Sequence, residues 1–104
     1  MKNITVVELN EALKVKGEIA IIDVREKWEL DIGKIKNSIE LPISSLGDSY
    51  KTLEIEKDYA VICHSGVRSM QACGFLSSCG YQVRNVLGGI DEWSVKVDSK
   101  IDRY

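Results

Sequence analysis

The stretch Tyr59-Ala60-Val61-Ile62-Cys63-His64-Ser65-Gly66-Val67-Arg68 decides the fold. The apolar run 59–62 predicts a buried strand, and residues 69–78 carry apolar side chains at the spacing of one helix face. Cys63 therefore lies at the carboxyl end of a strand, just before a helix. Ligands bind at that edge of parallel α/β sheets, where a helix N-terminus supplies unpaired amides and a partial charge of about +0.5. Both features favour a thiolate over a thiol.

Arg68 adds a permanent positive charge within the first turn of the same helix. Gly66 suits a loop whose amides point inward, because glycine adopts backbone angles that other residues avoid. A cysteine in this position can also be a small core residue. The coincidence of Cys63, Gly66 and Arg68 with a strand-to-helix switch favours a nucleophile that handles anions.

The segment Cys63-x-Ser65-Gly66-x-Arg68-Ser69 resembles the active-site loop of single-domain rhodanese-like sulfurtransferases. Three further segments resemble family signatures, in the same order along the chain: Asp23-Val24-Arg25-Glu26 with Trp28-Glu29, Gly33-x-Ile35 with Ile39-x-Leu41-Pro42, and Asn85-Val86-Leu87-Gly88-Gly89-Ile90-x-x-Trp93. The chain departs from the family pattern at Lys34, Lys36 and Leu30, where members usually have His, Pro or Glu, and an aromatic residue.

The resemblance implies one rhodanese-like α/β domain over residues 1–104, with a mostly parallel five-stranded sheet flanked by helices. It implies that the Cys63 thiolate takes the outer sulfur of thiosulfate or of a persulfide and passes it to a thiophilic acceptor. Arg68 is expected to share in catalysis, and the loop residues to bind the donor: His64, Ser65, Gly66, Val67 and Ser69. No metal or organic cofactor is expected.

Other side chains receive structural interpretations. Asp23 and Arg25 are expected to support the site, as an ion pair or hydrogen bonds that tie the first signature to the catalytic loop. His64 is expected to face solvent rather than to take a direct part in the reaction.

The remaining tryptophans and cysteines are assigned mainly to the core. We expect Trp28 and Trp93 to fill the core or the rim of the site. Cys73 shares the buried face of its helix, and Cys79, just before Gly80, is expected to be partly exposed.

The order of the remaining elements follows from apolar runs and caps. Thr5-Val6-Val7-Glu8 is a capping box that opens a helix to about Lys14. Further segments are assigned as follows: strands near 19–22, 38–41 and 82–86, short helices from 27 and from 90, and an irregular or weakly helical connection over 42–57. The tail 97–104 is charged but contains Val97, Ile101 and Tyr104, so we expect it to pack back on the domain.

The composition limits the partners and the cellular compartment that we expect for this protein. Lys and Arg number 14 and Asp and Glu 16, a formal charge of −2, so no basic field attracts nucleic acid. No apolar stretch reaches the length of a membrane span and no signal peptide is recognisable, so we expect a cytoplasmic protein without a membrane partner. Three cysteines without Cys-x-x-Cys spacing disfavour a disulfide framework or a zinc site.

Two other functions stay open at this point. Phosphatases of the cell-cycle type share the fold but have a longer Cys-x5-Arg loop, whereas this chain has Cys-x4-Arg. A binding or regulatory module without activity usually lacks the cysteine or the loop charge. Because Arg68 is the only permanent charge of the loop, a protein persulfide fits as well as thiosulfate. Candidate partners include a sulfur carrier protein and thioredoxin, because similar tails follow rhodanese domains fused to ubiquitin-activating-like enzymes.

Overall fold

A parallel sheet of five strands forms the centre of the molecule, which the computed structural model describes over residues 2–104. The strands are β1 Asn3–Ile4, β2 Ala20–Asp23, β3 Ile39–Glu40, β4 Asp58–Ile62 and β5 Gln82–Val86, and their order across the sheet is β1-β5-β4-β2-β3. Residues 59–62 of β4 are fully buried, as expected for a central strand that is covered on both faces.

Helices cover both faces of the sheet. They are α1 Val6–Leu13, α2 Lys27–Ile32, α3 Leu46–Ser49, α4 Val67–Ser78 and α5 Gly89–Lys96, with 3₁₀ turns at Ile43–Ser45 and Tyr50–Thr52. The predicted capping box is present at the start of α1, where Glu8 N donates to Thr5 Oγ1 and Thr5 N donates to the Glu8 carboxylate. These two bonds satisfy amides that the first helical turn leaves without partners.

The core is divided by the sheet into two apolar clusters. One cluster joins β2 and β4 to α3 and α4, and includes Leu46, Cys73 and Leu76. The other joins the opposite face of the sheet to α1 and α5, and includes Leu9 and Trp93. The helices α1, α3, α4 and α5 therefore bury apolar side chains against the sheet, which is the usual arrangement of layers in α/β proteins.

The sequence-based assignments agree closely with these bounds. The strand at 82–86 is confirmed, the helix that was expected to start at Ile90 begins one residue earlier, and the strand near 38–41 is shorter than predicted. Val97, Ile101 and Tyr104 of the tail pack against the second cluster, as predicted. Among residues 2–104, none of the helices has the length and apolar character needed to cross a bilayer.

Strand register brings the site together. Asp23 at the end of β2 pairs with Ile62 at the end of β4, and Val24 N donates to Ile62 O at 3.0 Å. Cys63 and the residues after Asp23 therefore leave the sheet side by side, at its carboxyl edge.

Candidate active site

Cys63 is buried at the end of β4, with 1% of its surface exposed. Its Sγ accepts hydrogen bonds from the backbone amides of Gly66, at 3.1 Å, and Ser69, at 3.3 Å. Gly66 adopts a φ of 109°, in the region that favours glycine, just before α4 begins. The loop therefore aims backbone N–H groups at the sulfur, which stabilises negative charge there.

Ser69 and Asn85 extend this contact into a buried network. The Cys63 thiol donates to Ser69 Oγ at 3.3 Å, and Ser69 Oγ donates to Asn85 Oδ1 at 2.5 Å. Asn85 Nδ2 in turn donates to Gly66 O at 3.2 Å, so the side chain from β5 closes a ring with the loop. Ser69 is fully buried and Asn85 is 4% exposed, which makes the loss of any of these bonds costly.

The N-terminus of α5 holds the loop from behind. Ile90 N donates to Cys63 O at 2.8 Å, and Asp91 N donates to His64 O at 3.1 Å. Gly89, which has a φ of 59°, permits this approach, because a Cβ there would lie 2.4 Å from Cys63 O. The positions of the Cys63 and His64 carbonyls therefore require glycine at position 89.

Arg68 lies in the first turn of α4, and its guanidinium is bound by the carboxylate of Glu29 from α2. NH1 donates to Oε1 at 2.5 Å and NH2 donates to Oε2 at 2.7 Å. The Glu29 side chain is 3% exposed, whereas that of Arg68 is 33% exposed. Hydrogen bonding by Arg68 lowers the pKa of Glu29 to about 2, and Glu29 raises the pKa of Arg68.

Glu29 is held in this position by two further donors. Glu26 N donates to Oε1 at 3.1 Å, as part of a capping box at the start of α2, and the Tyr104 hydroxyl donates to Oε2 at 2.7 Å. Burial and the bond to Glu29 raise the pKa of Tyr104 to about 12, so the phenol is protonated at neutral pH and remains a donor.

Asp23 and Arg25 form an ion pair with both side chains fully buried, at 2.8 Å between Oδ2 and NH2. Arg25 NH1 donates to Glu29 O and to the Tyr104 hydroxyl, and NH2 also donates to Gly33 O. Burial opposes the Arg25 charge, but the bond from Asp23 leads the contacts that keep the pKa of Arg25 raised. The Asp23–Arg25 pair is therefore linked to the loop indirectly, because Arg25 binds the backbone of Glu29 and Glu29 binds Arg68.

The side chain of His64 does not stand free in solvent, contrary to expectation. It is half-buried and stacks on Tyr104, with ring centroids 4.1 Å apart and planes at 18°. The Trp28 ring contacts the Tyr104 ring edge-on, with centroids 5.9 Å apart, and Trp28 is 62% exposed. Trp28 thus lies at the rim, whereas Trp93 is 5% exposed and lies in the core.

The other loop residues face outward. Ser65 and Val67 are exposed, so at these two positions the backbone, rather than the side chain, is what the loop can offer a ligand. Cys73 is fully buried, and burial raises its pKa to about 12, which leaves it an inert thiol at neutral pH. Cys79 is partly exposed, as predicted, and all three cysteines are free.

Three residues of the site had no role assigned from sequence: Glu29, Asn85 and Tyr104. Glu29 and Asn85 lie inside segments that resemble family signatures, which was the available signal. Tyr104 gave only the apolar pattern of the tail, and its contact with Glu29 spans 75 positions.

These observations define a class: an α/β protein with a buried cysteine in an amide-lined loop at the carboxyl edge of a parallel sheet. The chain belongs to the rhodanese-like domain family, whose sequence profile matches residues 5–96. A rhodanese-related protein from Thermoplasma volcanium is 42% identical, with a TM-score of 0.87 over 93% of this chain and 94% of that one.

Relatives of known sequence agree with this assignment. A protein of Allochromatium vinosum named sulfurtransferase is 31% identical over 83% of this chain and 81% of its own length. The adenylyltransferase and sulfurtransferase uba4 of Ogataea parapolymorpha is 33% identical over 90% of this chain, which spans 25% of that longer protein. The family is therefore one of sulfurtransferases.

Proposed function

We propose that the protein moves sulfane sulfur from a donor, thiosulfate or a persulfide, to a thiophilic acceptor through a persulfide on Cys63. The observation that carries this proposal is the Cys63 sulfur itself, which receives the Gly66 and Ser69 amides at 3.1 and 3.3 Å. Donors aimed at a sulfur that carries negative charge in the thiolate, the transition state and the persulfide act as an oxyanion hole does for oxygen.

The reaction has two halves. In the first, the thiolate attacks the outer sulfur of the donor, the bond to that sulfur breaks, and sulfite or a thiolate leaves with the electron pair. In the second, an acceptor such as cyanide or a thiol attacks the outer sulfur of the persulfide, and the Cys63 thiolate returns. No metal or organic cofactor enters either half, and the roles of Arg68 and His64 in them stay proposals.

A protein acceptor is part of the proposal. The name of the Ogataea relative pairs a sulfurtransferase with an adenylyltransferase, and this chain, which matches the rhodanese-like family over residues 5–96, spans 25% of that protein. A sulfur carrier protein or thioredoxin is therefore proposed as acceptor. The cytoplasmic location expected from the sequence also stays a prediction.

Intact mass is the direct test. Reduced protein is incubated with thiosulfate, or with glutathione persulfide, and its mass is then taken before and after cyanide is added. We expect a gain of one sulfur atom that cyanide removes as thiocyanate. Cys63→Ser should show neither the gain nor the product, whereas the matched variant Cys79→Ser should show both.

Three other outcomes of these assays would contradict the proposal. A mass gain that persists in Cys63→Ser would overturn the assignment of the nucleophile. If neither donor adds sulfur and the protein hydrolyses an aryl phosphate through Cys63, the phosphatase alternative is correct. If both reactions are absent, the domain is a binding module.

A further inference from the structure

The guanidinium of Arg68, the positive charge of the loop, is already bound by a carboxylate of the protein. Both terminal nitrogens of Arg68 donate to the Glu29 carboxylate, and Glu29 is held by Tyr104 and by Glu26 N as well. Displacing a carboxylate that is 3% exposed from four hydrogen bonds would leave a buried, unpaired charge. Arg68 therefore does not offer its bidentate face to a donor anion while the pair is intact.

Two further ion pairs lie next to the loop or to the residues that support it. Asp23 and Arg25 neutralise each other at 2.8 Å with no exposure. Asp91, whose amide binds His64 O, pairs with Arg103 at 2.9 Å. Each pair sums to zero, so the three pairs together present no net charge to an anion at Cys63.

The amides of the loop and of the α4 N-terminus then provide the remaining attraction, a partial charge of about +0.5. A singly charged donor exceeds it by about half a charge, before the negative charge that the same amides stabilise on the Cys63 sulfur is counted. A dianion adds one further negative charge, which none of the three ion pairs compensates. Donor charge is therefore the property that this site distinguishes.

We infer that the site selects sulfane-sulfur donors with at most one negative charge, such as persulfides and thiosulfonates, over the thiosulfate dianion. This inference rests on the proposed sulfurtransferase function and narrows its substrate class. With a persulfide, the thiolate attacks R–S–SH at the outer sulfur, R–S⁻ leaves, and Cys63–S–SH forms. With methanethiosulfonate, the methanesulfinate anion leaves and Cys63–S–S⁻ forms, and with thiosulfate the sulfite dianion leaves.

Methanethiosulfonate is the appropriate probe, because it has the shape of thiosulfate with a methyl group in place of one charged oxygen. The measured quantity is the ratio of kcat/KM for methanethiosulfonate to kcat/KM for thiosulfate, with cyanide as acceptor. Comparing this ratio between variants cancels the difference in intrinsic reactivity of the two donors. A second donor, the persulfide of 2-mercaptoethanol, has no ionisable group apart from the persulfide itself and shows whether the preference extends to persulfides.

A charge series tests the inference. Glu29→Gln leaves Arg68 uncompensated, so the ratio should fall by roughly tenfold, the order of magnitude expected when one unit charge acts on one additional unit of donor charge in a partly buried site. Arg68→Gln should raise the ratio by a similar factor. The double variant Glu29→Gln with Arg68→Gln restores neutrality and should return the ratio toward the wild-type value.

The control removes a carboxylate elsewhere. Glu11→Gln breaks an exposed pair with Lys14 on α1, changes the net charge by the same amount as Glu29→Gln, and should leave the ratio unchanged. Equal ratios in the wild type and both single Glu29 and Arg68 variants would overturn the inference, and so would shifts of the same sign in the two. Failure of all three donors to add sulfur to Cys63 would overturn the proposed function instead.

Discussion

Replacing Gly89 by alanine tests whether the turn before α5 sets the position of the nucleophile. The new Cβ would lie 2.4 Å from Cys63 O and 2.5 Å from His64 O, both backbone atoms that cannot rotate away. Relief needs a separation on the order of 1 Å, which breaks the hydrogen bonds from Ile90 N and Asp91 N, at about 1 kcal/mol each. The left-handed backbone adds about 1–2 kcal/mol for an L-residue.

We therefore expect Gly89→Ala to lower the free energy of unfolding by about 3–4 kcal/mol, a large part of the stability of a small domain. Gly17→Ala is the matched control, because Gly17 has a φ of 80° and its Cβ would meet no atom within 4 Å. It should lose only the backbone term, about 1–2 kcal/mol.

Urea unfolding followed by tryptophan fluorescence measures both values, since Trp93 is buried in the core. The persulfide assay adds a second readout, because displaced Cys63 and His64 carbonyls move the amide cradle. Gly89→Ala should then load sulfur more slowly than Gly17→Ala at equal folded fraction. The reasoning is wrong if the two variants differ in unfolding free energy by less than about 0.5 kcal/mol.

Three further perturbations have defined outcomes. The pKa of Glu29 is about 2 in the folded protein, against an ordinary value of 4.5, so its ionised carboxylate stabilises the fold by about 3 kcal/mol. This stabilisation is complete above pH 4.5 and is lost as the pH falls toward 2. In urea titrations, the difference in unfolding free energy between the wild type and Glu29→Gln should therefore shrink over that pH range. Tyr104→Phe keeps the ring on His64 but removes the bond to Glu29, and should cost about 1–2 kcal/mol by the same assay, with no loss contradicting the contact. Asn85→Ala leaves the buried Ser69 hydroxyl proton without its acceptor and removes one of the two donors to Gly66 O, which keeps the bond from Met70 N, so we expect a loss of about 1–2 kcal/mol and slower alkylation of Cys63 by iodoacetamide, and unchanged alkylation would argue against a positioning role.

The sequence identifies those features of the fold and the site that depend on neighbouring residues. The capping box at Thr5 and Glu8, the buried run of β4 and the strand-to-helix switch at Cys63 are each local patterns, and the structure has all of them. The loop amides likewise follow from the position of Cys63 before α4. The family resemblance supplied the mostly parallel sheet of five strands, whereas the order of the strands, which no local pattern specifies, was not predicted.

Contacts between distant residues were not predictable from these patterns. The partner of Arg68 lies 39 positions away on α2, where a buried glutamate has no periodic signature that names its partner. From the sequence we interpret Arg68 as a positive charge available to an anionic donor. In the structure its guanidinium is bound by the Glu29 carboxylate instead. The length of β3 was also overestimated, because the predicted segment 38–41 extends beyond Ile39 and Glu40, the two positions that pair with β2.

The burial of Cys63 would give the resting thiol and the proposed persulfide different exposure to attack. In the resting protein 1% of the residue is exposed, which limits the surface that a large oxidant can contact. A persulfide would extend the side chain by one S–S bond of about 2.05 Å. Under the proposed mechanism, loading would therefore place the sulfur to be transferred farther from the buried end of β4, and a thiol on another macromolecule would reach that sulfur more readily than the resting thiol.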